Sequence, residues 1–149
     1  MAYSTLDDLK KLTDEKTIIR LADDAGSAPG VFDPAVADVI AEAAEQADSE
    51  IDGYLSGRYK TPLDPVPLII SGLSARMTMY YLSMRRPSGR EERWEKLYTR
   101  AVEMLVQISK GVVTIGASEL DAGDTSLMSG GISVAAPDRV FTGSFLDRM

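Results

Sequence analysis

Apolar residues recur along this chain at helical spacing, in five successive blocks. The first is short: Leu6, Leu9 and Leu12 share a face, Ser4 or Thr5 stands ready to cap, and Asp7 and Asp8 precede Lys10 and Lys11. Acids in the first turn and bases in the last suit the helix dipole at both ends. The second block carries Ile18, Ile19, Leu21 and Ala22 behind a cap at Thr13 or Asp14. Asp23-Asp24-Ala25-Gly26-Ser27-Ala28-Pro29-Gly30 follows and is a loop by composition. Asp33-Pro34 then opens the third block, with aspartate as cap and proline at the first helical position. Val36, Ile40, Ala43, Ala44, Ala47, Ile51, Tyr54 and Leu55 predict a helix from there to about Ser56. Asp38, Glu42, Glu45, Asp48, Ser49 and Asp52 occupy its other side.

The stretch Ile51–Pro67 is the pivot of the pattern. Pro62, Pro65 and Pro67 each fix φ and remove a backbone donor, so no helix runs through them. Gly57 is placed to end the preceding helix in a left-handed conformation. Tyr54, Leu55, Tyr59 and Leu63 supply apolar bulk around the bend, and Arg58 offers a forked donor that could tie the corner to an acidic helix. An ordinary interhelical turn needs no more than this.

Beyond the corner, Val66 to about Arg86 is apolar on most sides, through Leu68, Ile69, Leu73, Met77, Tyr80, Tyr81 and Met84. Such a helix belongs at the centre of a bundle. Ser71, Gly72, Ser74, Arg76 and Thr78 interrupt it, which argues against a membrane span. Arg85-Arg86-Pro87-Ser88-Gly89-Arg90 breaks the pattern, either as a tip that contacts acids or phosphate or as a solvated basic turn. The last helix is predicted from about Arg90 to Lys110, ending at Gly111, with Trp94, Leu97, Tyr98, Ala101, Leu105 and Ile108 buried. Val112–Ile115 reads as a short strand. Residues 116–131 read as a flexible linker of Ser, Gly, Asp and Ala. Apolar anchors return in 132–149: Ile132, Val134, Val140, Phe141, Phe145 and Leu146, with Arg139 among them. This arm either folds back on its own bundle or binds a neighbouring subunit or partner, and the second reading gives the linker a use. The expected organisation is a mainly α bundle of two short N-terminal helices and three long ones over residues 1–115, a linker over 116–131 and an extended C-terminal arm over 132–149.

Charge sharpens this picture. Residues 1–55 hold 13 acids and 4 bases, residues 56–111 hold 10 bases and 5 acids, and the whole chain carries −7. An acidic front and a basic middle suit head-to-tail self-association or docking between unlike partners. Two solvated helix surfaces would look the same. Generic duplex binding fits poorly with net negative charge. The acidic row Asp38, Glu42, Glu45 and Asp48 has two readings: a solvated surface, or a wall that repels phosphate and lets DNA slide without sticking.

Candidate chemistry is sparse. The chain has no cysteine and no histidine, which removes thiolate and imidazole ligands, disulfides and the commonest general base. Asp23, Asp24 and Asp33 lack the alternating ligands and closing glutamate of an EF-hand loop. Ser129-Gly130-Gly131 is too short for a phosphate loop, and there is no Gly-x-Ser-x-Gly elbow. The carboxylates lie on helix surfaces, not paired in an apolar pocket as acid–base hydrolysis needs. The expectation is a non-enzymatic interaction module without cofactor or metal, and its start, Met1–Leu12, is too polar for a signal peptide.

The order of these signals carries a resemblance. Tyr3 and the Leu6–Leu9 helix precede Leu21-Ala22-Asp23-Asp24. An alanine-rich helix ends in Ile51-Asp52-Gly53-Tyr54-Leu55-x-x-Arg58-Tyr59-x-x-Pro62-Leu63-x-x-Val66-Pro67. Tyr80-Tyr81-Leu82, a Tyr98 helix ending at Gly111, and Arg139-Val140-Phe141-Thr142 follow. Over nearly its whole length the chain resembles the Mu-like phage neck proteins, which are similar in design to the head–tail connector (adaptor) proteins of other tailed phages. The corner stretch is the specific part. The resemblance implies a structural virion protein of the neck, made in the bacterial host cytoplasm. Such connectors form a homo-oligomeric ring, typically twelve-fold, beneath the portal protein. They extend the DNA channel without sequence-specific DNA binding, keep clear of membrane, and meet a neck or tail completion protein. The acidic helix would face the lumen or a neighbour's basic middle, and the arm would clasp portal or an adjacent subunit. A tail-side completion protein or a DNA-packaging regulator is the alternative.

Overall fold

The computed structural model describes residues 2–24, 26, 33–86 and 91–120. Five helices follow in order: α1 (Leu6–Leu12), α2 (Glu15–Ala22), α3 (Pro34–Leu55), α4 (Leu68–Arg85) and α5 (Glu91–Ser109). The fold is the mainly α bundle of two short and three long helices that the periodicity predicts. The starts are set by local chemistry. The Thr5 hydroxyl accepts the Asp8 N–H while the Asp8 carboxylate accepts the Thr5 N–H, a reciprocal capping box. The Lys11 ammonium and the Thr5 donors hold the Asp8 carboxyl down at about 2. Asp14 caps α2 through Thr17 N, and Asp33 caps α3 through Ala35 N with Pro34 in the first turn. No helix among the described residues is long and apolar enough to cross a membrane.

Helix α4 is the hub, and each of the other four packs against it. The apolar residues fall into two clusters. Ala47, Ile51 and Leu55 of α3 meet Ile70, Leu73 and Met77 of α4 and Ala101, Leu105 and Ile108 of α5. Further along, Val36, Ile40 and Ala43 meet Ala75, Met79, Leu82 and Trp94, and there Leu9, Ile18 and Leu21 of the short helices close the core. Since α3 rises against α4 in one sense and α4 against α5 in the other, the long helices run up, down and up. The C-terminus of α3, the N-terminus of α4 and the C-terminus of α5 therefore share one end of the bundle, the corner end.

The structure corrects the sequence reading in several places. Helix α4 is apolar nearly all round, yet Leu68 and Met84 lie 84 % and 56 % exposed and Ile69 38 %. They sit at its two ends, past the reach of its neighbours. Gly57 does not adopt a left-handed conformation. The chain leaves α3 by a right-handed turn in which Arg58 N and Tyr59 N both donate to Leu55 O at 2.9 Å. Gly111 is left-handed instead, with φ of +79°. It closes α5 with Gly111 N donating to Ile108 O and Val112 N to Gln107 O, both at 3.0 Å, the Schellman pattern. Val112–Ile115 is consequently not a strand. The Val112 and Val113 amides both turn back to Gln107 O, and the isolated bridge among the described residues pairs Tyr59 with Glu119 instead. Peptide bonds Thr61–Pro62 and Asp64–Pro65 are cis.

Candidate interaction surfaces

Hydrogen bonds between stretches far apart in sequence knot the N-terminal segment to the corner end. Tyr3 N donates to Asp48 Oδ2 at 2.7 Å, and the Ser74 hydroxyl lies 2.6 Å from Asp48 Oδ1 and 2.9 Å from Ser4 Oγ. With one proton to give, Ser74 donates to the carboxylate and accepts from Ser4. Asp48 is thus not a member of the exposed acidic row. It is 8 % exposed, and its outward neighbours on α3 do not share its environment. Burial pushes its carboxyl above the usual range, and the two donors oppose that without cancelling it. The Tyr3 hydroxyl donates to Asp52 and accepts from Leu63 N at 2.9 Å, so one side chain links α3 to the proline corner. Burial first, and the Asp52 carboxylate second, push this phenol up to about 12.

Arg58 fastens the corner from the other side. Its Nη1 donates to Ile108 O at 3.2 Å and its Nη2 to Glu119 at 2.7 Å, while its own carbonyl accepts Leu120 N at 2.8 Å. The expected acidic helix is not its partner. The guanidinium takes the carbonyl end of α5, where a cation is favoured, and a glutamate beyond that helix. Gly111 leaves room for it, because an added Cβ would overlap Arg58 Nη1. Tyr59 is 1 % exposed, and its hydroxyl has no hydrogen-bond partner among the described residues. Leu63 is buried, Tyr54 packs against the same cluster, Pro62 is exposed, and Pro67 sits at the N-cap of α4 with no side-chain cap. Residues 116–120, the start of the expected linker, lie against the corner through Glu119 and Leu120.

Midway along the bundle, Glu50 of α3 accepts from the Tyr81 hydroxyl of α4 and, at 2.8 Å, the Tyr98 hydroxyl of α5. Tyr98 stacks on Tyr80 with ring centroids 4.2 Å apart. Burial and the Glu50 carboxylate raise both phenols, Tyr98 to about 12. Neither this bridge nor the Asp48–Ser74 contact is legible in a local sequence pattern. The only signal for them was polar residues, Ser74 and Glu50, within otherwise apolar helix faces.

The outward surfaces remain. Asp38, Glu42 and Glu45 are exposed along one stripe of α3, with no ion-pair partner among the described residues. At the corner end, Leu68 and Val112 are 84 % and 70 % exposed. Asp24, in the aspartate cluster that lacks an EF-hand pattern, pairs with Arg85 at 2.7 Å and lies 3.9 Å from Arg86, so that basic turn contacts an acid of its own chain. No group of residues able to hold a metal ion occurs among the described residues. The arm residues Ile132, Val134, Arg139, Val140, Phe141, Phe145 and Leu146 lie outside the described residues.

Comparison with known proteins places these surfaces in a family context. Residues 3–132 match the sequence profile of a family described as Bacteriophage Mu, Gp36. A relative, the Mu-like prophage FluMu protein gp36 of Haemophilus influenzae, is 29% identical over 82 residues. That match covers 55% of this chain and 56% of the relative, so the chain spans about half the length of the curated relative it matches.

Proposed function

The chain belongs to the Bacteriophage Mu Gp36 family, and on that premise we propose that it is a structural protein of the phage neck. In this reading it is a head–tail connector. Copies assemble as a ring beneath the portal protein, lengthen the DNA channel and offer a surface to the next neck or tail completion protein. Its role is architectural, with no catalytic step and no cofactor.

The observation that carries the reading is the unfinished corner end. The interior there is tightly tied by Tyr3, Asp48 and Arg58, yet Leu68 and Val112 stay open to water on the same end. A rigid joint with large apolar side chains left uncovered is suited to receive another surface, each side chain gaining on the order of 1.5–3 kcal/mol when fully buried. The carboxylate row on α3 fits a ring as well, since it either repels passing phosphate or meets a neighbour's cations. The arm, 132–149, is assigned to portal or an adjacent subunit.

Light-scattering mass of the purified protein, alone and mixed with portal rings, tests this. Entry into a ring-sized complex with portal is expected. A protein that ignores portal and binds the packaging motor or a tail component instead is a regulator or a tail-side completion protein.

A further inference from the structure

Two charged stripes of equal length lie on opposite flanks of the bundle. On α3, Asp38, Glu42 and Glu45 follow one another at helical spacing, with Ser49 continuing the line. On α5, Arg93, Lys96 and Arg100 do the same, with Met104, 36 % exposed, continuing it. Each triplet spans seven residue steps, about 10.5 Å of rise. The flanks are fixed by contacts within the chain. Glu50 and Tyr98 meet between α3 and α5, so each marks the side of its helix that faces the other. At about 100° per residue, the acidic stripe lies well round α3 from Glu50, and the basic stripe lies nearly opposite Tyr98 on α5. Arg93 confirms the latter by donating to Leu12 O at 3.1 Å, at the end of α1. Glu92 and Glu103 border this basic stripe, Glu92 paired with Lys96 at 2.6 Å and Glu103 lining one hollow with Lys96 and Arg100.

The polarity of the stripes also agrees. In both helices the charges come first and the uncharged position follows toward the C-terminus. The up-down-up order makes α3 and α5 parallel, and rotation about an axis along the helices leaves every helix direction unchanged. A head-to-tail contact repeated around such an axis therefore sets α3 of one copy beside α5 of the next in parallel, which is the orientation that brings the stripes into register.

We infer that the acidic stripe of α3 docks on the basic stripe of α5 in a second copy of this chain, pairing Asp38 with Arg93, Glu42 with Lys96 and Glu45 with Arg100. Met104 then sits by Ser49, over an open hollow of about 510 Å³ lined by Ala41, Glu45, Ser49 and Asp52. The contact is heterologous, the kind that closes a ring. Lys96 gives up its exposed within-helix pair with Glu92, which costs little. This contact rests on the ring reading above and adds which faces meet and which way the helices run.

The experiment follows assembly in two ways, for the protein alone at high concentration and on portal rings. In the first, Glu45→Arg and Arg100→Glu should each weaken self-association by at least about tenfold, and the two together should restore it to within a few-fold. In the second, the chain has no cysteine of its own, so Ser49→Cys with Met104→Cys should give a ladder of disulfide-linked copies on oxidation, and either change alone should not extend past a dimer. Oligomers that form normally in both single charge variants, or a failed rescue, or a missing ladder in an assembled ring, overturn the contact and leave the connector reading intact. A protein that stays monomeric both alone and with portal overturns both.

Discussion

At the end of the bundle where α1 and α2 pack, closure is apolar. Leu9, Ile18, Leu21 and Trp94 fill the space against Met79 and Leu82, and the two short helices are held in shape by caps within a few residues. At the corner end the core is sealed by side chains that cross long stretches of sequence: Tyr3 to Asp52 and Leu63, Asp48 to Ser74, and Arg58 to Ile108 and Glu119. The first arrangement tolerates changes of shape at a graded cost. In the second, each polar group depends on a partner, and losing one leaves the other buried without compensation.

The sharpest way to test that contrast begins with the apolar end. Trp94→Ala should cost about 3–5 kcal/mol in chemical denaturation, the largest single effect expected. Gly111→Ala combines a left-handed backbone, at about 1–2 kcal/mol, with displacement of Arg58. It should therefore cost more than the backbone alone, and in an Arg58→Ala background the excess should vanish. Ser74→Ala removes a donor from buried Asp48 and should cost about 1–3 kcal/mol.

Asp48→Asn reads the same knot by pH. The native state holds the Asp48 proton to higher pH than the unfolded chain does, so its effect is a loss of stability as pH rises from the ordinary carboxylate value through the raised one. That fall should disappear in the variant. At the alkaline side the raised tyrosines act in the same sense. Tyr3 and Tyr98 keep their protons to about 12, so the stability they contribute is intact below about pH 10 and lost as pH climbs through the folded values. Tyrosinate absorbance alongside a urea midpoint at each pH should show this, and Tyr3→Phe should remove part of it. The smallest effect is Thr5→Ala at the capping box, about 0.5–2 kcal/mol, confined to the apolar end.

Legibility in the sequence follows the same division. All five helices, the cap at Asp33 and the stop at Gly111 are written in neighbouring residues, which also narrow the first two caps to Ser4 or Thr5 and to Thr13 or Asp14. The buried state of Asp48 is not, because on α3 it adjoins the exposed stripe and only Ser74 and the N-terminal segment, brought close by folding, turn it inward. Arg58 reads as a clamp in the sequence, but its partners lie 50 and 61 residues away, beyond any local pattern. The strand expected at Val112–Ile115 does not form because β-branched residues need a pairing partner, and the end of α5 takes the Val112 and Val113 amides first. Of the surfaces singled out, Asp38, Glu42 and Glu45 are exposed as a stripe requires, whereas exposed Leu68 and Val112 emerged only from the ends of packed helices.

The fastening at Arg58 also sets a load path. Tension on the chain after Leu120 does not peel the last turn of α5 residue by residue. The Leu120–Arg58 backbone bond and the Arg58–Glu119 ion pair take it first and hand it to the joint between α3 and α4. Glu119 and Ile108 share one guanidinium, so the end of α5 and the segment after it move as a single strut with the corner. A pull on the tail in this way reaches the α3–α4 joint before it reaches the last turn of α5.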